Sequence, residues 1–91
     1  MNRQLVMVVF GRVQHVGFRF LISYTAKKMG LSGFCRNESD GSVRIVSQGT
    51  KEKLEQFAKT VSKGTFWISV DTVSLDWFDS FEPLNGFEIR H

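Results

Sequence analysis

The alternation of apolar and polar residues along the chain predicts five strands. Residues 5–10 form a continuous apolar run of strand length, typical of a central strand covered on at least one face. Between the second and third segments, Ser39-Asp40-Gly41 is a hairpin signal, because Asp-Gly fits the positive φ angles of a tight turn. The strand-like segments are residues 5–10, 31–37, 42–47, 73–77 and 87–89.

Two segments repeat apolar residues at helical spacing. The first stripe begins at Phe18 and ends at Met29, and Gly30 then predicts a left-handed helix end. The second helix is predicted to be capped by Thr50 and to close at Lys63-Gly64. The order strand–helix–strand–strand–helix–strand predicts an α+β fold of ferredoxin-like type, a βαββαβ sandwich. Its sheet is expected to be antiparallel, with both helices on one face and a short extra C-terminal strand.

Length and composition favour one domain over residues 1–91 with a single modest core. A chain of 91 residues, 42% hydrophobic and 23% charged, is typical of a globular domain. The nine phenylalanines supply much of the core area, and four of them are predicted to be buried: Phe10, Phe18, Phe20 and Phe34. Ile45 and its neighbours alternate with Arg44, which predicts one solvated side for the third strand.

The chain has no apolar run long enough to cross a bilayer and no secretory leader pattern, so we expect a cytoplasmic monomer without a membrane partner. Cys35 is the only cysteine, which excludes an internal disulfide and any cysteine-based metal site. We expect Cys35 to act as a small buried hydrophobic residue.

The net charge of +3 is unevenly distributed. Residues 1–70 hold eleven Lys and Arg against four Asp and Glu, a balance of +7, whereas residues 71–91 hold one against five, a balance of −4. This asymmetry is compatible with an anionic partner for the larger part, and equally with two solvated surfaces of opposite sign.

The connection between the first strand and the first helix, GRVQHVGFRF, carries the strongest chemical signal. The first amides of a helix lack internal partners, and a loop that curls before them can form an anion-binding nest. Arg19 falls in the first helical turn, where its guanidinium is suited to donating hydrogen bonds to two oxygens of one phosphate. From residue chemistry alone, an anion cradle and an ordinary glycine-bearing connector remain equally open.

Several motifs together resemble the acylphosphatase family: GRVQHVGFR, GLSGFCRNESDGSV, the following Gln48-Gly49 and the closing FEIR. The resemblance implies hydrolysis of an acyl phosphate to carboxylate and inorganic phosphate, without metal or cofactor. It implies that Arg19 binds the phosphoryl group and that Asn37 holds the attacking water. The implied phosphate cradle consists of the backbone amides of His15, Val16, Gly17, Phe18 and Arg19.

His15 departs from the family pattern, which usually has glycine at this position. Three outcomes remain open: a tolerated change, a lowered activity, or a pH-dependent contribution to anion binding from a protonated imidazole. If the family's glycine is required because the backbone has a positive φ at this position, histidine would be a costly substitute.

Two other functions remain as alternatives. A nucleic-acid-binding sheet is favoured by Phe34 and the basic charge, but the paired aromatic signature of such sheets is missing, so a nucleic-acid partner is not expected. The second alternative is an anion-binding domain that has kept the fold and lost the catalytic rate.

Overall fold

The computed structural model describes residues 1–91, and its elements follow the predicted order. They are β1 (Asn2–Arg12), α1 (Val16–Lys28), β2 (Ser32–Asn37), β3 (Val43–Thr50), α2 (Lys51–Ser62), β4 (Ser69–Phe78) and β5 (Phe87–Arg90).

The five strands form one sheet in the order β4-β1-β3-β2-β5. The pairs β1–β3, β1–β4 and β2–β3 are antiparallel, which confirms the ferredoxin-like arrangement. The short β5 pairs in parallel with β2, so the complete sheet is mixed. As a result β2 lies between two neighbours and its backbone is paired on both sides.

Both helices pack on one face of this sheet around a single core. Alternate residues of β1 point to opposite faces, and Leu5, Met7 and Val9 are fully buried beneath the helices. α1 lies against β2 and β5, and α2 lies against β1 and β3. The helix residues in this core include Phe18, Ile22, Ala26, Leu54, Phe57, Ala58 and Val61. Neither helix combines the length and hydropathy required of a membrane span.

The predicted helix boundaries are confirmed at the positions where capping chemistry determines them. Gly30 adopts φ 73°, and the Leu31 amide donates to the Ala26 carbonyl at 2.9 Å, which ends α1 in a left-handed turn. Thr50 caps α2, its hydroxyl accepting from the Lys53 amide at 3.3 Å.

Two of the four phenylalanines predicted to be buried are exposed. Phe18 is fully buried, but Phe10 is 38% exposed and Phe20 67% exposed. Phe10 follows Val9 and therefore points away from the helices, and Phe20 lies off the buried stripe of α1. Phe34 is half-buried, on the sheet face opposite the helices.

The prediction of a solvated side for β3 is also wrong over most of its length. Arg44, Val46 and Gln48 all face away from the helices. Val46 and Gln48 are nevertheless buried, and only Arg44 is partly exposed. The segment between β4 and β5 crosses this end of the sheet, where the Gln48 side chain donates to the Glu82 carbonyl and accepts from the Leu84 amide.

Candidate active site

The loop after β1 lies where the backbone makes a close approach that requires glycine. The pairing of β1 with β4 shifts register between Phe10 and Gly11. Gly11 adopts φ 137°, and a Cβ there would collide with the Ser69 carbonyl oxygen. The chain then turns through residues 13–15 and enters α1 at Val16. The register shift therefore lies just before the chain leaves the end of β1 and enters α1.

Gln14 ties this loop to the β2–β3 hairpin. Its side-chain amide donates to the Glu38 carbonyl at 2.7 Å and to the Ser42 carbonyl at 3.0 Å. The hairpin has its own internal bonds, since the Ser42 amide and hydroxyl both donate to the Asp40 carboxylate. These bonds, with the Ser42 hydroxyl as the largest contributor, lower the pKa of Asp40 below its usual value. Gln14 thus fixes the loop relative to the strand that carries Asn37.

Arg19 carries a charge with no partner in the protein. It lies in the first turn of α1, which contains no acidic residue, and it forms no salt bridge. Its Nε is buried and has no hydrogen-bond acceptor. A buried, unpaired guanidinium N–H is costly, and it lies at the helix end where the dipole adds further positive charge. An anion bound at this helix end would accept a hydrogen bond from the Arg19 Nε–H and offset the local positive charge.

Cys35 of β2 contacts the first turn of α1 at this end of the fold. Its thiol donates to the Arg19 carbonyl at 3.9 Å. Burial raises the pKa of Cys35 from 9.0 to about 11, and the nearby Arg19 charge opposes part of that rise. The thiol is therefore protonated at neutral pH, and Cys35 is fully buried in the core cluster, as predicted for a small buried hydrophobic residue.

Asn37 is the last residue of β2 and is exposed. It follows Cys35 by two positions, so it projects from the same sheet face, the one on which α1 packs. The structure therefore brings Asn37 and Arg19 to the same end of the sheet and to the same side. Arg36 lies between Cys35 and Asn37 in β2 and therefore points to the opposite sheet face, where it pairs with Glu38 at 3.3 Å.

His15 is the N-cap of α1, a role that its sequence position did not reveal. Its backbone is extended, with φ −121° and ψ 137°, so this position does not require glycine and the histidine is unstrained. Its imidazole Nδ1 accepts a hydrogen bond from the Gly17 amide at 2.9 Å. The imidazole thus occupies a donor that the resemblance assigns to the phosphate.

The other predicted cradle amides also have identifiable positions. The His15 amide donates to the Val13 carbonyl at 2.9 Å, and the amides of Phe18 and Arg19 reach the His15 carbonyl at 3.0 and 3.3 Å. The Val16 amide has no acceptor in the chain. The five amides span the end of the β1–α1 loop and the first turn of α1, and four of them already have acceptors within that segment.

A cleft of about 700 Å³ borders the loop and includes two residues that the sequence patterns did not single out. Phe66 and Trp67 line it together with Arg12, His15 and Gly41. Both aromatic residues are largely exposed, at 91% and 75%. They follow Gly64 outside any periodic segment, so only their adjacency as two large apolar residues in a loop signalled a role.

Phe34 does not offer an open stacking surface of the kind that a nucleic-acid base requires. The Arg90 guanidinium lies 3.8 Å from the centre of its ring, and that of Arg36 lies 6.0 Å away. A base would have to displace Arg90 from the ring to stack on Phe34.

Comparison with known proteins shows the family to which the chain belongs. The acylphosphatase family model matches residues 5–89. An acylphosphatase of Salinibacter ruber is 40% identical over 82 residues, covering 90% of this chain and 86% of the relative. One from Bacillus licheniformis is 39% identical over 88 residues, covering 97% and 98%. The crystal structure of acylphosphatase from Bacillus subtilis superposes with a TM-score of 0.93 at 34% identity, covering 98% of this chain and 99% of that one. The chain that carries this loop, Arg19 and Asn37 is therefore a member of the acylphosphatase family of hydrolases.

Proposed function

We propose that this protein hydrolyses acyl phosphates at the N-terminus of α1, with Arg19 binding the phosphoryl group and Asn37 positioning the attacking water. The observation that carries the proposal is the buried, unpartnered Nε of Arg19 at the helix start. A phosphate oxygen accepting from this N–H would satisfy it, and a second oxygen would complete a bidentate contact.

Asn37 is suited to positioning the water and unsuited to deprotonating it. Its amide offers a carbonyl acceptor and an NH₂ donor, and it is not a base near neutral pH. In the proposed reaction the water oxygen attacks phosphorus, and the bond between phosphorus and the bridging oxygen breaks. The electron pair leaves with the acyl carboxylate, and the water proton passes to a phosphate oxygen.

This chemistry needs little beyond positioning and charge stabilisation. A carboxylate is a good leaving group, and phosphoryl transfer proceeds through a loose transition state whose charge is spread over the equatorial oxygens. The Arg19 guanidinium and the unpaired Val16 amide supply donors for that charge, and the Gly17 amide adds a third once it leaves the His15 imidazole. All of these groups come from one chain, so we propose that the monomer is the catalytic unit.

The test is hydrolysis of acetyl phosphate by the parent, Arg19→Ala and Asn37→Ala. We expect each variant to lose at least ~100-fold in kcat, the usual effect of removing one positioned transition-state donor. Arg36→Ala is a matched control for Arg19, because Arg36 lies on the opposite sheet face and pairs with Glu38. Asn85→Ala, in the exposed segment before β5, is the control for Asn37.

Two results would contradict different parts of the proposal. A parent rate equal to spontaneous hydrolysis would remove the activity itself. Parent-like rates for both Arg19→Ala and Asn37→Ala would leave the activity and remove the assignment of these residues. Thermal unfolding of every variant separates a lost contact from a lost fold.

A further inference from the structure

The turn that follows α2 presents two aromatic rings to solvent on a rigid support. The amide of Thr65 donates to the Ile68 carbonyl at 3.2 Å, and the amide of Ile68 donates back to the Thr65 carbonyl at 3.1 Å. Ile68 is buried in the core, which anchors the turn. Phe66 and Trp67 are its two central residues, so the closed turn leaves both side chains outside.

The two rings contact each other and leave much of their surface uncovered. Their centroids lie 4.9 Å apart at an interplanar angle of 80°, an edge-to-face pair. Apart from this mutual contact, both remain largely exposed. Two adjacent large apolar side chains exposed at a loop tip form the kind of patch that marks a ligand-binding site.

The rings line the cleft that the phosphate loop itself borders through His15. The turn that carries Phe66 and Trp67 leads directly into β4, whose first residue Ser69 pairs with Arg12 at the end of β1, whereas Asn37 belongs to β2, which β3 separates from β1. An in-line displacement places the leaving group opposite the attacking water. If the water is held at Asn37 as proposed, we expect the acyl group of a bound substrate to extend toward this cleft.

We propose that Phe66 and Trp67 form an acyl-binding subsite that selects acyl phosphates with an aromatic acyl group over those with a short aliphatic one. This inference rests on the proposed hydrolysis of acyl phosphates. An edge-to-face pair offers a third aromatic ring both an edge and a face to pack against, the geometry that aromatic contacts prefer. Arg12 also lines the cleft and forms no salt bridge, so its charge favours the carboxylate that the reaction releases.

The test compares kcat/KM for benzoyl phosphate and acetyl phosphate in the parent and in the double variant Phe66→Ala/Trp67→Ala. We expect the double variant to lose about tenfold or more on benzoyl phosphate and less than about twofold on acetyl phosphate, since only the aryl group reaches the rings. Phe78→Ala is the matched control, because Phe78 is a partly exposed aromatic paired with Gln4 at the opposite end of β1.

A binding measurement makes the result independent of turnover. Benzylphosphonate, a stable analogue, is titrated against the Trp67 fluorescence in a Trp77→Phe background, which leaves one tryptophan in the chain. We expect a fluorescence change with benzylphosphonate that methylphosphonate does not produce at the same concentration.

The outcomes separate the two proposals. Equal losses on both substrates, or no loss on either, would overturn the acyl subsite while the hydrolase assignment stands. Failure of the parent to hydrolyse either substrate would overturn the proposed function. The subsite would then stand as a binding site only if benzylphosphonate still changes the Trp67 fluorescence. If that change is also missing, both the proposed function and the subsite are wrong.

Discussion

Replacing His15 with glycine should strengthen phosphate binding. In the parent the Gly17 amide donates to the His15 imidazole at 2.9 Å, so phosphate must break this bond to use that amide. A neutral hydrogen bond of this kind contributes about 0.5–1.5 kcal/mol net, and 1 kcal/mol corresponds to roughly a fivefold change in affinity. We therefore expect the inhibition constant of inorganic phosphate to fall about fivefold in His15→Gly.

The cost of this substitution is small and separately measurable. His15 caps α1, and exchanging a capping side chain for glycine typically costs a few tenths of a kcal/mol, so Tm should fall by no more than about 2–4 °C. His15→Asn is the control, because its side-chain oxygen keeps an acceptor at the cap. That variant should retain the parent's phosphate affinity.

An inhibition constant for inorganic phosphate that is the same in His15→Gly and in the parent would refute competition between the imidazole and phosphate for the Gly17 amide.

Two further predictions concern the support of the site. Gln14→Ala removes both hydrogen bonds to the hairpin and should lower the free energy of unfolding by about 1–2 kcal/mol in urea melts, and kcat severalfold, because the loop loses its tie to the strand carrying Asn37. Gln56→Ala, exposed on α2, should do neither, and an unchanged kcat in Gln14→Ala would contradict a positioning role. Since the pKa of Cys35 is raised from 9.0 to about 11, the folded chain keeps a proton that the unfolded chain releases, so stability should fall as pH rises from 9 to 11. The drop in Tm over this range should be larger for the parent than for Cys35→Ala, and equal drops would exclude the linkage.

Much of the fold was predictable because local chemistry and periodicity agree with it. Gly30 and Thr50 mark helix ends through backbone conformation and capping, which depend on adjacent residues alone. The errors at Phe10 and on the side of β3 that was expected to be solvated have a non-local origin. Phe10 points to the sheet face without helices, and Gln48 is buried by a segment more than thirty residues later in the chain.

The candidate site divides in the same way. Arg19 and Asn37 were predictable as candidates because the family pattern fixes them by spacing along the chain. The contact of the His15 side chain with the Gly17 amide depends on a rotamer that no sequence pattern specifies. The cleft at Trp67 is formed by a loop tip, the β1–α1 connection and a hairpin turn that are distant in sequence, so only the folded chain brings them together.

The parallel pairing of β5 with β2 also affects how the protein avoids self-association. β5 contains only the four residues Phe87–Arg90, yet it covers the outer edge of the strand that ends in Asn37. Without those residues β2 would present a free edge of unpaired amides and carbonyls to other molecules, and such edges template intermolecular strand addition. A variant truncated after Asn85 should therefore aggregate through β2. The pairing of residues 87–90 with β2 thus prevents polymerisation through that strand.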